Sequence, residues 1–267
     1  MNHVSTTRRA LLTLGAAALL PACASTHATA GPAQPASTAP SPAAAPSPSP
    51  SAPGRPVPGV CPTSADVLHK PGNPLQYLPC DGTDIALTID DGPHPVWTPK
   101  VLALLARYDI KATFCMIGQN VAAHPDLAAR VVDGGHHIAN HTYTHPMNLT
   151  ALAPAQIRAE IERTSTTIAT AGGAPSPRLF RAPGGTWSTP VIAACTNAGM
   201  RPLDWSVDTR DWSLPGVAHI VDTILTRTHP GAIILDHDGG GNRAQTVQAL
   251  TIALPRLLDA GYHFTQP

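Results

Sequence analysis

The chain has 267 residues, only 13% of them charged, and its 17 Lys and Arg balance its 17 Asp and Glu. No stripe of Lys and Arg runs along it, so it lacks the phosphate-neutralising surface that a nucleic-acid partner requires. Its 30 prolines are concentrated near the N-terminus, which divides the chain before any motif is considered.

Residues 1–23 read as an export signal. Arg8 and Arg9 precede an apolar run from Ala10 to Leu20. That run is shorter than the roughly 20 apolar residues a membrane span needs, and has the layout of a signal peptide. Thr7-Arg8-Arg9-Ala10-Leu11-Leu12 resembles a twin-arginine signal. Leu20-Pro21-Ala22-Cys23 resembles a bacterial lipobox, with Cys23 as the candidate lipidation site and membrane anchor. A cleaved signal with an incidental cysteine fits the same residues. The expected location is the outer face of the cytoplasmic membrane as a lipoprotein, or the medium as a secreted protein.

Residues 24–58 are almost entirely Ala, Pro, Ser, Thr and Gly. Such a segment buries too little apolar surface to offset its ordering entropy. At about 3.1 Å per residue it would act as a spacer of at most roughly 100 Å. Residues 59–267 are then expected to form one domain with a full core. Cys61 and Cys80 flank a Pro/Gly-rich stretch before the first strand, and an exported chain is able to bridge them. Cys115 and Cys195 fall in apolar patterns and read as buried thiols.

From Asp84 onward strands and helices alternate. Ile85–Asp90 reads as a strand, Thr98–Tyr108 as a helix, Ala112–Ile117 as a strand and Asn120–Val132 as a helix ending at Asp133-Gly134-Gly135. His137–His141 is a strand and Pro154–Ala171 a helix. Leu179–Arg181, Thr189–Asn197 and Pro202–Val207 read as strand, helix and strand. Val217–Thr228, Ala232–Asp236, Thr246–Leu258 and Tyr262–Thr265 complete the series. Repeated βα units imply a parallel sheet with helices outside. Some seven units suit an α/β fold closed as a (β/α) barrel, with an open doubly-wound sheet as the alternative. The chemically capable residues recur at strand ends, which a barrel gathers at one face.

The first such cluster is Thr88-Ile89-Asp90-Asp91-Gly92-Pro93. Two adjacent carboxylates repel unless a cation or proton intervenes, although a turn or a helix cap uses the same residues. The second is His141-Thr142-Tyr143-Thr144-His145-Pro146. Its middle residues and Pro146 favour a compact loop that can bring both imidazoles to one ion. Two His and a carboxylate with an open position are the ligands of hydrolytic zinc sites, and serve other divalent metals too. His136 and His137 lie nearby, and neither is needed as a ligand. Three weaker clusters follow later strands: Arg181-Ala182-Pro183-Gly184-Gly185, Asp208-Thr209-Arg210-Asp211-Trp212, and Leu235-Asp236-His237-Asp238.

In this order the five clusters resemble the motifs of the polysaccharide deacetylases of carbohydrate esterase family 4, the nodulation-protein-B homology domain. The resemblance runs from about Asp84 to the C-terminus. It implies a distorted (β/α) barrel of seven or eight units, TIM-barrel-like, that removes acetyl groups from sugars with the help of a metal. It assigns Asp90 as catalytic base, and Asp91, His141 and His145 as ligands of a divalent ion, Zn²⁺ first and Co²⁺ or another ion as alternatives. Arg181 would hold the base and Asp211 would orient His237, the catalytic acid. The N–H of Gly184 would serve the oxyanion, and Trp212 and Leu235 would line the acetyl pocket. Ile89 departs from the aromatic residue usual there. Asp236 is an unusual neighbour for His237, able to raise its pKa if it points inward.

The resemblance further implies an acetylated polysaccharide as partner. The expected reaction is N-deacetylation of a β-1,4-linked N-acetylglucosamine polymer by a monomer. Peptidoglycan comes first, because a tethered enzyme on a spacer meets the cell wall, and chitin or chitooligosaccharide next. An acetylxylan esterase and a non-catalytic cell-wall-binding lipoprotein are the alternatives. Trp97 and Trp187 suit either sugar stacking or packing over the barrel top, and Trp205 is expected in a strand and in the core.

Overall fold

The computed structural model describes residues 73–80, 82–170 and 173–267. The export signal over 1–23, the linker over 24–58, Cys23 and Cys61 lie outside the described residues. Among the described residues no helix is long and apolar enough to cross a membrane. Cys80 is disulfide-bonded, while Cys115 and Cys195 are buried free thiols.

The elements in chain order are β1 (Asp84–Asp90), α1 (Thr98–Arg107), β2 (Thr113–Met116), α2 (Gly118–Ala123), α3 (Pro125–Asp133), β3 (His137–Asn140), α4 (Pro154–Thr170), β4 (Leu179–Phe180), α5 (Thr189–Asn197), β5 (Arg201–Pro202), β6 (Val207–Asp208), α6 (Val217–Arg227), β7 (Ile233–His237), α7 (Ala244–Asp259) and β8 (His263–Thr265). The strands form one parallel sheet in the order β5-β4-β3-β2-β1-β7-β6. β8 pairs with the first half of β1, on the edge opposite β7.

The period of two along each strand sorts its side chains between two cores. Ile85, Leu87 and Ile89 of β1, with Phe114, Met116 and Ile138 of the next two strands, pack outward against α1, α3, α6 and α7. The alternate residues Ala86, Cys115 and Ala139 face inward, where Leu75, Leu179, Leu203 and Ile233 fill the barrel. A third cluster joins Phe180 to α4 and α5 through Ile157, Ile161 and Val191. These cores explain why the central strands read so clearly as apolar runs.

The expected distorted barrel is present, and its closure is unusual. The edge strands β5 and β6 are consecutive in the chain and no helix separates them. The expected single strand Pro202–Val207 is therefore two short strands and a crossing. The backbone of the crossing bonds to different elements. Asp204 N–H donates to the Leu75 carbonyl at 2.8 Å, and Ser206 N–H donates to Ile233 at 3.0 Å. Leu75 N–H donates in turn to Pro202 at 2.9 Å, and Leu78 N–H to Gly231 at 2.8 Å. The segment around Leu75 thus ties the β5 edge to the residues that lead into β7.

A second correction concerns the helix expected over Asn120–Val132, which is split into α2 and α3. Pro125 has no N–H to donate and drives the preceding residue out of the helical region. His124 accordingly has φ −136° and ψ 59°.

Candidate metal and acid–base site

The ends of β1, β3, β4, β6 and β7 each deliver part of the site. Asp90 ends β1 with its side chain inward and 3% exposed. Its Oδ1 accepts a hydrogen bond from Arg181 Nη1 at 2.7 Å. Arg181 follows β4 and is fully buried. It also donates from Nη1 to Thr88 Oγ1 and from Nη2 to the Asp204 carbonyl, each at 2.8 Å. A buried guanidinium forked between a carboxylate and a carbonyl is a charge-assisted arrangement with its plane fixed.

Asp91 is the next residue, and its left-handed backbone (φ 73°) turns its side chain away from the strand. Such a conformation costs a non-glycine residue about 1–3 kcal/mol and is found where function demands it. Asn120 Nδ2 donates to the Asp91 carbonyl at 2.9 Å and holds the turn. The Asp91 Oδ1 lies 3.5 Å from His141 Nε2 and 3.3 Å from His145 Nε2. It is buried and accepts no hydrogen bond.

The loop after β3 brings the two histidines together as a compact turn, as its composition suggests. Glu160 on α4 organises it. One carboxylate oxygen accepts the N–H groups of Tyr143 and Thr144, each at 2.8 Å, and the other accepts Thr144 Oγ1–H at 2.9 Å. Arg163 on the same helix stacks 3.5 Å over the Tyr143 ring. Asn140 Oδ1 accepts Thr142 N–H at 3.0 Å. His141 Nδ1–H donates to the Arg181 carbonyl at 2.8 Å, which leaves Nε2 a lone pair facing the carboxylates.

The residues fit a divalent cation. The ligand atoms of Asp91, His141 and His145 lie within 4.8 Å of one another. An orphaned buried carboxylate oxygen faces two imidazole nitrogens, and one imidazole is oriented by a backbone carbonyl behind it, as ligating histidines are. Burial raises the Asp91 carboxyl, but the imidazoles of His141, His237 and His145 around it hold it well below the usual carboxylate range.

Across the cleft, His237 ends β7. Its Nδ1–H donates to Asp211 Oδ1 at 2.7 Å. Asp211 Oδ2 accepts the His237 N–H at 3.0 Å and Thr246 Oγ1–H at 2.7 Å. Burial opposes the charged imidazole, yet the hydrogen bond and charge of Asp211, joined by Asp90 and Asp91, raise it to about 9. Asp236 does not point inward. The strand period turns it to the helix-covered side, where its Oδ1 accepts Thr209 Oγ1–H at 2.8 Å. Burial first, and Asp211 second, push this carboxyl far up.

Asp90, Asp91, His141, His145 and His237 line one cleft of about 420 Å³. The expected Gly184, Trp212 and Leu235 line it as well. Gly184 has φ 60°, and Trp212 is 50% exposed at the rim. Arg181 and Asp211 stand behind, each touching one reactive group. Sequence reasoning missed Met147, Gly240 and Arg243 in the cleft wall, and Glu160 behind the histidine loop. Arg243 carried a signal, since it closes the run Gly239-Gly240-Gly241 just after His237. Glu160 carried none, because α4 presents several polar residues alike.

The tryptophans divide differently from expectation. Trp97 caps α1, beside His94 and under Lys100, and Trp187 packs edge-on to Phe180 at 5.8 Å. Trp205 lies off the strands, against the inner core on one side and open to the cleft on the other.

Fold and site define a class: a (β/α) barrel with an Asp-His-His cluster at the strand ends, flanked by Asp90 held by Arg181 and His237 held by Asp211. The model of the family described as polysaccharide deacetylase matches residues 79–203. Over 201 residues the chain is 42% identical to a chitooligosaccharide deacetylase from Sinorhizobium fredii, covering 70% of this chain and 93% of the relative. Over 204 residues it is 39% identical to a peptidoglycan-N-acetylglucosamine deacetylase from Bacillus cereus, covering 74% and 94%. The solved structure of a family 4 carbohydrate esterase from Streptomyces lividans superposes with a TM-score of 0.63 at 36% identity, covering 69% of this chain and 92% of that one. The chain belongs to the polysaccharide deacetylases of carbohydrate esterase family 4, and is a hydrolase.

Proposed function

We propose that the protein removes N-acetyl groups from a β-1,4-linked N-acetylglucosamine polymer, with peptidoglycan as first target and chitooligosaccharide as second. The observation that carries this reading is the meeting, in one cleft, of the Asp91-His141-His145 cluster with Asp90 and His237. Relatives named for each of the two substrates support the class. Peptidoglycan is placed first because an N-terminal signal and a spacer bring an exported domain to the wall. In this reading the protein acts as a monomer outside the cytoplasm, anchored through Cys23 or released.

Asp91, His141 and His145 would hold a divalent ion, Zn²⁺ in the first instance, which polarises an acyl carbonyl and lowers the pKa of a water towards about 7. Asp90, beside the Arg181 guanidinium, takes the proton of the attacking water. The Gly184 N–H donates to the oxyanion, a contact of the kind whose loss costs about 3–4 kcal/mol. An amine leaves only when protonated. His237 is protonated at neutral pH because its pKa is raised to about 9, and it supplies that proton. Trp212 and Leu235 shape the acetyl pocket. A purely binding role is disfavoured, because no reactive group is missing.

The test is acetate release by the full chain from peptidoglycan, chitooligosaccharides and acetylated xylan, side by side. Release is expected from the first two, to stop on chelation, and to return with Zn²⁺ or Co²⁺. Asp90→Asn is expected to lower the rate by about 10²–10⁴ while metal titrates as before. Activity that survives complete metal removal overturns the mechanism, and release from xylan alone overturns the substrate.

A further inference from the structure

We propose that Arg243 is a carboxylate-binding residue of the cleft, beyond the metal cluster and the acid–base groups. The proposal rests on the deacetylase reading, because the carboxylates concerned are those that such a substrate brings or such a reaction releases.

Arg243 stands at the N-terminus of α7 and is 3% exposed, yet it lines the same cleft as Asp91 and His237. Its Nε–H donates to the Gly239 carbonyl at 2.6 Å, which fixes the guanidinium plane. Nη1 and Nη2 donate to no acceptor among the described residues, and no carboxylate is paired with them. A buried cation is costly without a partner. Arg181, the other buried arginine among the described residues, shows the contrast: its Nη atoms reach two side chains and a carbonyl.

The loop in front of Arg243 is kept bare. Gly240 has φ 69° and Gly241 has φ 148°. A Cβ on Gly240 would lie 2.5 Å from Asp91 Oδ2 and 3.3 Å from Arg243 Nη2. Glycine there preserves the space between the metal-cluster carboxylate and the cation. A Cβ on Gly241 would stand 3.7 Å from the same Nη2. Two parallel N–H donors in a fixed plane match a planar carboxylate. A dianionic phosphate suits the cleft less well, since Asp90, Asp91 and Asp208 also line it.

Two carboxylates meet this description. One is carried by the glycan, as a lactyl-type ether on a neighbouring sugar. The other is the acetate released. The full chain and Arg243→Gln are compared on neutral N-acetylglucosamine oligomers, on peptidoglycan strands freed of stem peptide so that the lactyl carboxylates are bare, and on the same strands with those carboxylates converted to methylamides. Inhibition by added acetate is measured for both proteins. If the glycan supplies the carboxylate, Arg243→Gln lowers the ratio of kcat/KM for intact over amidated strands about tenfold, through KM. If acetate is the ligand, the inhibition constant for acetate rises about tenfold instead. Arg243→Lys, which keeps the charge but loses the fork, should move in the same direction by less, and serves if the Gln variant does not fold. Unchanged ratios together with unchanged acetate inhibition overturn the proposal. Absence of acetate release from every substrate by the unaltered chain is a different failure, that of the deacetylase reading itself.

Discussion

His237 owes its charge to Asp211. Burial alone would keep the imidazole neutral, yet it is raised to about 9. The Asp211 carboxyl is shifted in the complementary direction, since His237 and then Thr246 outweigh the burial that raises it. Replacing Asp211 by Asn preserves the shape and removes the charge. The alkaline limb of kcat/KM is then expected to fall by at least about one pH unit, because His237 gives up its proton sooner. A pH profile on chitooligosaccharide measures it, and an unmoved limb would separate His237 from Asp211. The same pair contributes to stability. Its folded pKa lies above the ordinary 6.5, so the contribution is complete below about pH 6.5 and is lost as pH rises through 9. Asp236 shows what a residue's neighbours in sequence leave open. Adjacency to His237 suggested influence on it, and the strand period instead points the side chain at Thr209.

At the scale of elements, the strands were legible because their apolar runs are strong, while the breaks were governed by local chemistry or distant partners. Pro125 could have announced the split between α2 and α3, since its effect on the preceding residue is local. The split between β5 and β6 could not be anticipated, because Leu75 and Ile233 take the bonds of the crossing. The start of β3 carries a further consequence. His136 is buried, and its Nδ1 accepts the Ala112 N–H at 3.1 Å. Burial, then Lys111, push this imidazole down to about 4. A depressed histidine stays neutral in the folded chain while the unfolded chain charges below about 6.5, so stability is complete above that pH and declines towards pH 4. His136→Asn keeps an acceptor and cannot charge. Its thermal midpoint is expected to fall less than that of the unaltered protein between pH 6.5 and 4, and parallel acid limbs would refute the assignment.

At the scale of the molecule, the barrel is completed by a segment that belongs to none of its βα units. Leu75 is 4% exposed and packs with Leu203 and Ile233 inside the barrel, while its backbone bonds to Pro202 and Asp204 at the β5 edge. Leu75→Ala leaves those backbone bonds in place and removes only the packing. A buried Leu-to-Ala change costs about 2–5 kcal/mol, which for a domain of this size lowers the thermal midpoint by on the order of 10 °C. Calorimetry checks this, and a midpoint within a degree of the original would mean that the seam bears no weight. Because Arg181 Nη2 also reaches the Asp204 carbonyl in that seam, opening it would disturb the group that holds Asp90.

By itself the sequence determined the alternation of strands and helices, the reactive residues and their order, because these follow from local periodicity and from side-chain types. It also limited the ligand set to His141, His145 and one of two adjacent carboxylates, and only the family resemblance singled out Asp91 from Asp90. The tertiary structure decided which groups meet. It placed Arg181 on Asp90, Asp211 on His237 and Glu160 beneath the histidine loop, turned Asp236 away, and left Arg243 facing the cleft. Those pairings join residues tens of positions apart through the register and curl of one sheet, and no local pattern along the chain encodes them.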